Sequence, residues 1–251
     1  MRAPASSIQL SAEPESISVE LHRAATVVVD MQNAFLSKGG MFDLAGVDIS
    51  GAEKAVVAAQ RSLSAIRAIG IPVVYLQTGY ADDLSNAGGE DSPCPEKSTT
   101  LRMMRANPAY RGRLLTYGKW DAEIVDALKP ESGDIVVRKS RYSGFAGTTL
   151  DSVLRSRGVK VVFFMGVATN VCVESTIRDA YFNEYWPVLI EDATMPEGPP
   201  EIQAASLFNI RRFFGWTTTS EHLRHALTPV RQKFVATDLH SWKEAGGARR
   251  G

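Results

Sequence analysis

Three side chains of different chemical type stand where short apolar runs end. Asp30 closes the run Ala25 to Asp30, and Lys139 closes Asp134 to Lys139. Cys172 follows the most apolar run, Val159 to Val167, across the turn Gly166-Val167-Ala168-Thr169-Asn170-Val171. An acid, an amine and a thiol together suit nucleophilic attack on a carbonyl. The thiolate is the nucleophile, but a thiol of ordinary pKa, about 8.5, is mostly protonated at neutral pH. A helix start at Cys172 and a nearby ammonium would both favour the thiolate. Asp30 could take the thiol proton and later deliver it to a leaving amine, with Lys139 holding Asp30 ionised. Backbone N–H groups in the turn before the helix could cradle the oxyanion. Each residue also has a plainer reading. A cysteine at a helix head can be a packed small residue, an aspartate at a strand end a turn former, and a lysine there merely solvated.

The elements that must position these groups alternate along the chain. Apolar runs at Ala25 to Asp30, Pro72 to Gln77, Asp134 to Lys139, Val159 to Val167, Pro187 to Glu191 and Gly215 to Thr219 read as strands. Near-continuous rather than alternating apolarity suits a parallel sheet covered on both faces. Between them lie helical spacings: Val56, Ala59, Leu63 and Ile66, stopped by Gly70 and Pro72; a shorter set at Ile124, Val125 and Leu128; Thr149, Val153 and Leu154; Val173, Ile177, Ala180 and Tyr181; and Ala204, Ala205, Phe208 and Ile210. Alternating strand and helix imply an α/β sheet of βαβ units, whose ligands bind beyond the carboxyl ends of the strands. Asp30, Lys139 and the Cys172 turn all fall on that edge. The stretch Gly79 to Trp120 reads as a long irregular loop, and loops of that length are usually functional.

Composition narrows the class. The 251 residues carry 28 basic and 28 acidic side chains, a balance that disfavours a nucleic-acid partner. The two cysteines form no C-x-x-C pair, so a common structural zinc site is excluded; Cys94, between Pro93 and Pro95, reads as incidental. No apolar run approaches a membrane span, and the first residues lack a signal-peptide pattern, so the expectation is a cytoplasmic protein. Residues 1–20 are expected to form a flexible leader, 21–235 a single domain, and 236–251 a flexible tail. No phosphate-loop, dinucleotide or G-x-S-x-G run is present.

The sequence resembles the isochorismatase-like cysteine hydrolases. The resemblance rests on AATVVVDMQNAF ending at Phe35, KSRYSGFAGTTLDSVLRSRG from Lys139 to Gly158, and GVATNVCVESTIRDA from Gly166 to Ala180. It implies a Rossmann-like three-layer α/β sandwich with a mainly parallel sheet. It also implies a catalytic triad at Asp30, Lys139 and Cys172, a cis peptide between Val167 and Ala168, and an oxyanion hole from the N–H groups of Ala168 and Cys172. Within the family, KGGMFDLAGVDIS from Lys38, TNVCVEST from Thr169 and LFNIRRFFGW from Leu207 are most similar to the ureidoacrylate-cleaving branch. That implies a metal-free amidohydrolase acting on a small ureido or amide substrate, without a cofactor, and a homo-oligomer. The same chemistry on biuret, triuret or a cyclic lactam is the second reading; a non-catalytic binder or a redox sensor at Cys172 is the third.

The departures from the family pattern concern the pocket. The segment QTGYADD from Gln77 to Asp83 has no histidine, so the metal motif of the nicotinamidases is missing. Thr78 and Tyr80 stand where the ureidoacrylate branch offers Asn and Trp, and Met41 stands in place of an aromatic. Asn33 and Phe35 are placed at the pocket by resemblance, while Tyr142 and Ser143 could bond a ureido group or simply shape the turn at Gly144. A substrate carboxylate would want an arginine fork, with Arg105 and Arg141 as candidates. His222 and His225 are spaced like metal ligands but read as a solvated helix face. Trp120, Trp186 and Trp216 are expected in the core or at an interface.

Overall fold

The structure, a computed structural model, describes residues 6–89 and 91–232. Its centre is a six-stranded parallel sheet. Strands β3 (Ala24–Val29), β4 (Val73–Thr78), β5 (Ile135–Lys139), β6 (Val161–Val167), β7 (Trp186–Met195) and β8 (Trp216–Thr218) lie in the order β5-β4-β3-β6-β7-β8. The order reverses at β3, so the crevice between the ends of β3 and β6 is the switch point where ligands of open sheets bind. Asp30 follows one of these strands and the Cys172 turn follows the other.

Every residue of β3 and β6 is buried, as the near-continuous apolar runs require. Alternate side chains serve opposite faces: Ala24 and Val28 pack into one apolar layer, and Ala25, Val27 and Val29 into the other. Helix α1 (Ala52–Arg67) and a helix over residues 220–232, through Leu223 and Leu227, cover the first face. The second face is covered by α3 (Leu150–Arg155), α4 (Glu174–Phe182) and the region of α5 (Pro200–Asn209). The expected three-layer sandwich is the observed fold.

Three expectations change. Residues 7–20 are no leader: β1 (Ser7–Leu10) and β2 (Ile17–Glu20) form an antiparallel hairpin whose Ile8, Leu10, Ile17 and Val19 join the core. The hairpin's turn pairs Glu13 with Thr217, so it protects the β8 edge. The tail at 236–251 lies outside the described residues. The short helix around Ile124 is only a single turn at Asp126–Leu128, because Ile124 bridges instead to Gln32. The segment from Gly79 to Trp120 is partly helical, with a turn at Cys94–Lys97 and α2 (Thr99–Ala106). Ser98 caps α2 through the Leu101 N–H, and its hydroxyl also meets Tyr80 Oη at 3.1 Å. Among the described residues no helix is long and apolar enough to cross a membrane.

Candidate active site

Asp30 is the first residue past β3 and has a φ of 49°, a left-handed conformation uncommon for aspartate. Its Oδ1 accepts the Thr78 N–H at 3.0 Å. Its Oδ2 lies 2.7 Å from Lys139 Nζ, with both side chains fully buried. Lys139 reaches this point from β5 by crossing over the end of β4. There Thr78 is its register partner, and the Thr78 hydroxyl accepts from Nζ at 2.6 Å. The carbonyls of Arg141 and Tyr142 accept from Nζ at 3.0 Å each. Thr78 therefore joins acid and amine, through its N–H on one side and its hydroxyl on the other.

Gln32 holds Thr78 in place. Its Oε1 shares the Thr78 N–H at 2.9 Å, and its Nε2 donates to Thr78 O and Ala122 O. The Gln32 side chain is wholly buried and fully used, and sequence reasoning missed it. Its only signal was a position two residues after Asp30.

Cys172 lies in a π-helical turn, Thr169–Val173, that precedes α4, and it is close enough to interact with both Asp30 and Lys139. Single π turns inside helices are rare and frequent at functional sites. The Val167–Ala168 peptide is cis. The Ala168 carbonyl accepts from Val171 and Val173 N–H at 3.1 and 3.2 Å and passes over Cys172 between them.

The expectation of a lowered thiol pKa is overturned. Burial pushes the Cys172 thiol up to about 12; Lys139 pulls it down, but Asp30 pushes the same way as burial. Lys139 has the opposite balance. Burial disfavours its charge, yet the facing Asp30 and Cys172 raise its pKa above the ordinary value. The resting site is thus a neutral thiol beside a buried carboxylate–ammonium pair.

A cavity of about 390 Å³ opens at this point. Cys172 and Ala168 line it together with Phe35, Met41, Thr78, Tyr80 and Tyr142. Three of the expected pocket residues lie elsewhere. Asn33 is buried, donates to Trp120 O and accepts from Ser37. Ser143 donates to Asp179 and receives the Phe145 N–H, so it shapes the turn. Arg105 is half exposed and tied to Glu96, because the turn at Cys94–Lys97 brings that acid beside it on the outer surface. Arg141 does line the cavity: its Nη1 donates to Asn86 O and Ser140 O, with no acidic partner among the described residues. Cys94, read as incidental, lines the cavity too, as do Lys97 and Glu197.

Among the described residues no group of three or more His, Cys, Asp or Glu is placed to hold a metal ion. His225 instead pairs with Glu221 at 2.8 Å on an exposed helix face. Trp186 and Trp216 stack on each other 5.2 Å apart, with Trp186 half exposed, and Trp120 is also half exposed.

Residues 24–222 match the isochorismatase domain family. The chain belongs to the isochorismatase family. Curated relatives include the ureidoacrylate amidohydrolase RutB of Klebsiella pneumoniae (strain 342), 49% identical over 89% of this chain and 94% of the relative. The RutB protein of Azorhizobium caulinodans is 48% identical over 89% of this chain and 99% of its own length. Among solved structures, a cysteine hydrolase from Pseudomonas syringae pv. phaseolicola 1448A superposes with a TM-score of 0.71 at 30% identity, over 90% of this chain and 98% of that one. Isochorismatase family membership accounts for the fold.

Proposed function

We propose that the chain is a cysteine amidohydrolase that cleaves the ureido C–N bond of a small monoanionic substrate, with ureidoacrylate as its substrate. One observation carries the reading: Cys172 sits on the cavity wall against the buried Asp30–Lys139 pair. The cavity charge supports it further. Among the described residues the lining carries Lys97 and Arg141 against one acid, Glu197, which leaves one positive charge over for a carboxylate. The nearly half-share identity with proteins named ureidoacrylate amidohydrolase points the same way.

The geometry supports a two-stage reaction through a covalent intermediate. Asp30 takes the Cys172 proton, and sulfur attacks the ureido carbonyl. The Ala168 and Cys172 N–H groups stabilise the resulting oxyanion. Collapse breaks the C–N bond, and Asp30 protonates the departing amine, leaving a carbamoyl group on sulfur. Asp30 then takes a proton from water, whose oxygen attacks the carbamoyl carbon. Carbamate leaves, and the proton returns to sulfur. Lys139 Nζ stays 2.7 Å from Asp30 Oδ2 between these transfers. Phe35, Met41, Thr78, Tyr80 and Tyr142 shape the substrate's bed.

Cytoplasmic residence and a homo-oligomer belong to the same proposal, with two free cysteines and the exposed Phe208 and Phe213 in support. The functional test is a product analysis by mass spectrometry on ureidoacrylate, biuret, triuret and a cyclic lactam. Ureidoacrylate should be consumed fastest, and Cys172→Ala should abolish the turnover. Faster turnover of neutral biuret would replace the substrate assignment with the second reading.

A further inference from the structure

Glu197 is an acid in the cavity that none of these chemical steps uses. It lines the same space as Cys172. Its carboxyl makes no ion pair or hydrogen bond among the described residues, and its half-buried setting raises its pKa above the ordinary carboxylate range. An unpartnered acceptor facing a cavity calls for a donor from the ligand.

Its placement is fixed. Met195 at the end of β7 is the register partner of Val167 at the end of β6, so Glu197 lies level with the turn that carries Cys172. Asn170, two residues before the cysteine, clamps the Glu197 backbone from both sides. Asn170 Nδ2 donates to Glu197 O at 3.1 Å, and Glu197 N donates to Asn170 Oδ1 at 2.9 Å. Acid and nucleophile are therefore held by one turn.

Arg141 stands on the other side of the nucleophile in the sheet order. Arg141 follows β5, three places from β6 in the sheet, whereas β7 is the immediate neighbour of β6. A substrate whose carbonyl rests on Cys172 and whose anionic tail turns toward Arg141 presents its opposite end toward the β7 side, where Glu197 stands. In a ureido substrate that end is an NH₂ group with two donors.

We infer that Glu197 is the specificity-determining residue that accepts the terminal ureido NH₂ and so separates ureido substrates from simple amides. Asn170 is its positioning residue. The inference rests on the ureido hydrolase reading and extends it. A site built to bond an N–H rejects an isostere that lacks it far more strongly than an apolar pocket rejects a change of size.

The test compares 3-ureidoacrylate with 3-acetamidoacrylate, in which a methyl group replaces the NH₂ at nearly equal size. The variants are Glu197→Leu, which keeps the bulk and loses the acceptor, and Glu197→Gln, which keeps an acceptor oxygen. Each substrate is compared with itself across the variants, so the intrinsic difference between urea and amide cancels. Glu197→Leu should lower kcat/KM on the ureido compound about 10- to 100-fold, mostly through KM, and leave the acetamido compound unchanged or faster. Glu197→Gln should recover most of the ureido rate. An equal loss on both compounds would mean a merely structural role and would overturn the inference, as would no loss on either. If the unaltered protein turns over neither compound, the function proposal itself fails and takes this inference with it.

Discussion

Lys139 Nζ lies 2.7 Å from Asp30 Oδ2, yet that oxygen accepts no well-aligned hydrogen bond. The ammonium has three protons, and Thr78 Oγ1, Arg141 O and Tyr142 O take them. The pair is thus held by charge while the Oδ2 lone pairs stay open, free to take the Cys172 proton that the proposed mechanism assigns to them. Removing one partner of a buried pair strands the other charge, at about 3–5 kcal/mol, whereas replacing both is often near neutral. Lys139→Met should therefore lower the unfolding free energy by about that amount. The double variant Asp30→Leu with Lys139→Met should recover most of the stability and none of the activity. Denaturant unfolding of the three proteins checks this. Additive losses in the double variant would argue against a coupled pair.

The Cys172 thiol, raised to about 12, implies a definite pH behaviour. Its folded-state pKa stands above the unfolded one, so the folded protein binds the proton more tightly. The resulting stabilisation is complete below the unfolded value and is lost as pH rises toward the folded value. Iodoacetamide should alkylate Cys172 slowly at neutral pH and ever faster from pH 9 to 11, without a plateau near the ordinary thiol range. A mass-resolved rate profile of the Cys94→Ser variant, which leaves one thiol, gives the answer. A plateau at neutral pH would mean a resting thiolate.

Thr78 joins the two charged groups through separate atoms, so the roles can be separated. Thr78→Val keeps the shape and the N–H bond to Asp30 and removes only the hydroxyl that holds Nζ. A lost hydrogen bond to a charged group is worth about 1.5–3 kcal/mol, or roughly 10- to 150-fold. The fall should appear in kcat, and Thr78→Ser should restore it. Equal activity of the Val and Ser variants would remove the hydroxyl from the mechanism.

The strands and the strand-end residues were legible because β-branched runs and their terminal acid, amine and thiol are local features. What depended on tertiary packing was not. The protonation state of Cys172 follows from burial, which no spacing reports. Ser143 and Asn33 carry groups suited to a ureido ligand, but Asp179 and the Trp120 carbonyl claim them first. Arg105 lost its candidacy to an acid nine residues upstream. The buried alternation at Ile8, Leu10, Ile17 and Val19 was present in the sequence, hidden by the Ser, Pro and Glu around it.

The two arginine candidates should now behave differently. Arg141 lines the cavity with one guanidinium nitrogen anchored on carbonyls and no acid to neutralise it among the described residues, whereas Arg105 spends its charge on Glu96 outside. Arg141→Met should raise KM for ureidoacrylate about tenfold or more, from the loss of a charge-assisted bond. It should leave KM for a neutral ureido compound such as biuret nearly unchanged. Arg105→Met should alter neither. A similar KM rise on neutral and anionic compounds would assign Arg141 a role in pocket shape rather than charge.

Gly166 shows what the nucleophile turn demands of the sheet beneath it. It sits in β6 beside Val29 at a φ of +128°, and a Cβ there would lie 2.0 Å from the Val29 carbonyl oxygen. That contact is with backbone of the central strand, so no rotamer change relieves it. The β6–β7 register also shifts between Phe164 and Gly166. This bulge sets the height at which Val167 delivers the turn to the cavity. Gly166→Ala should therefore cost about 4 kcal/mol or more, or prevent folding. Gly147→Ala is the control, with a positive φ of +67° and nothing within 4 Å. It should cost only the left-handed backbone penalty of about 1–2 kcal/mol. Thermal melts of the two variants separate clash from conformation. If both lose the same stability, the close approach of β6 to β3 is not what requires glycine at position 166.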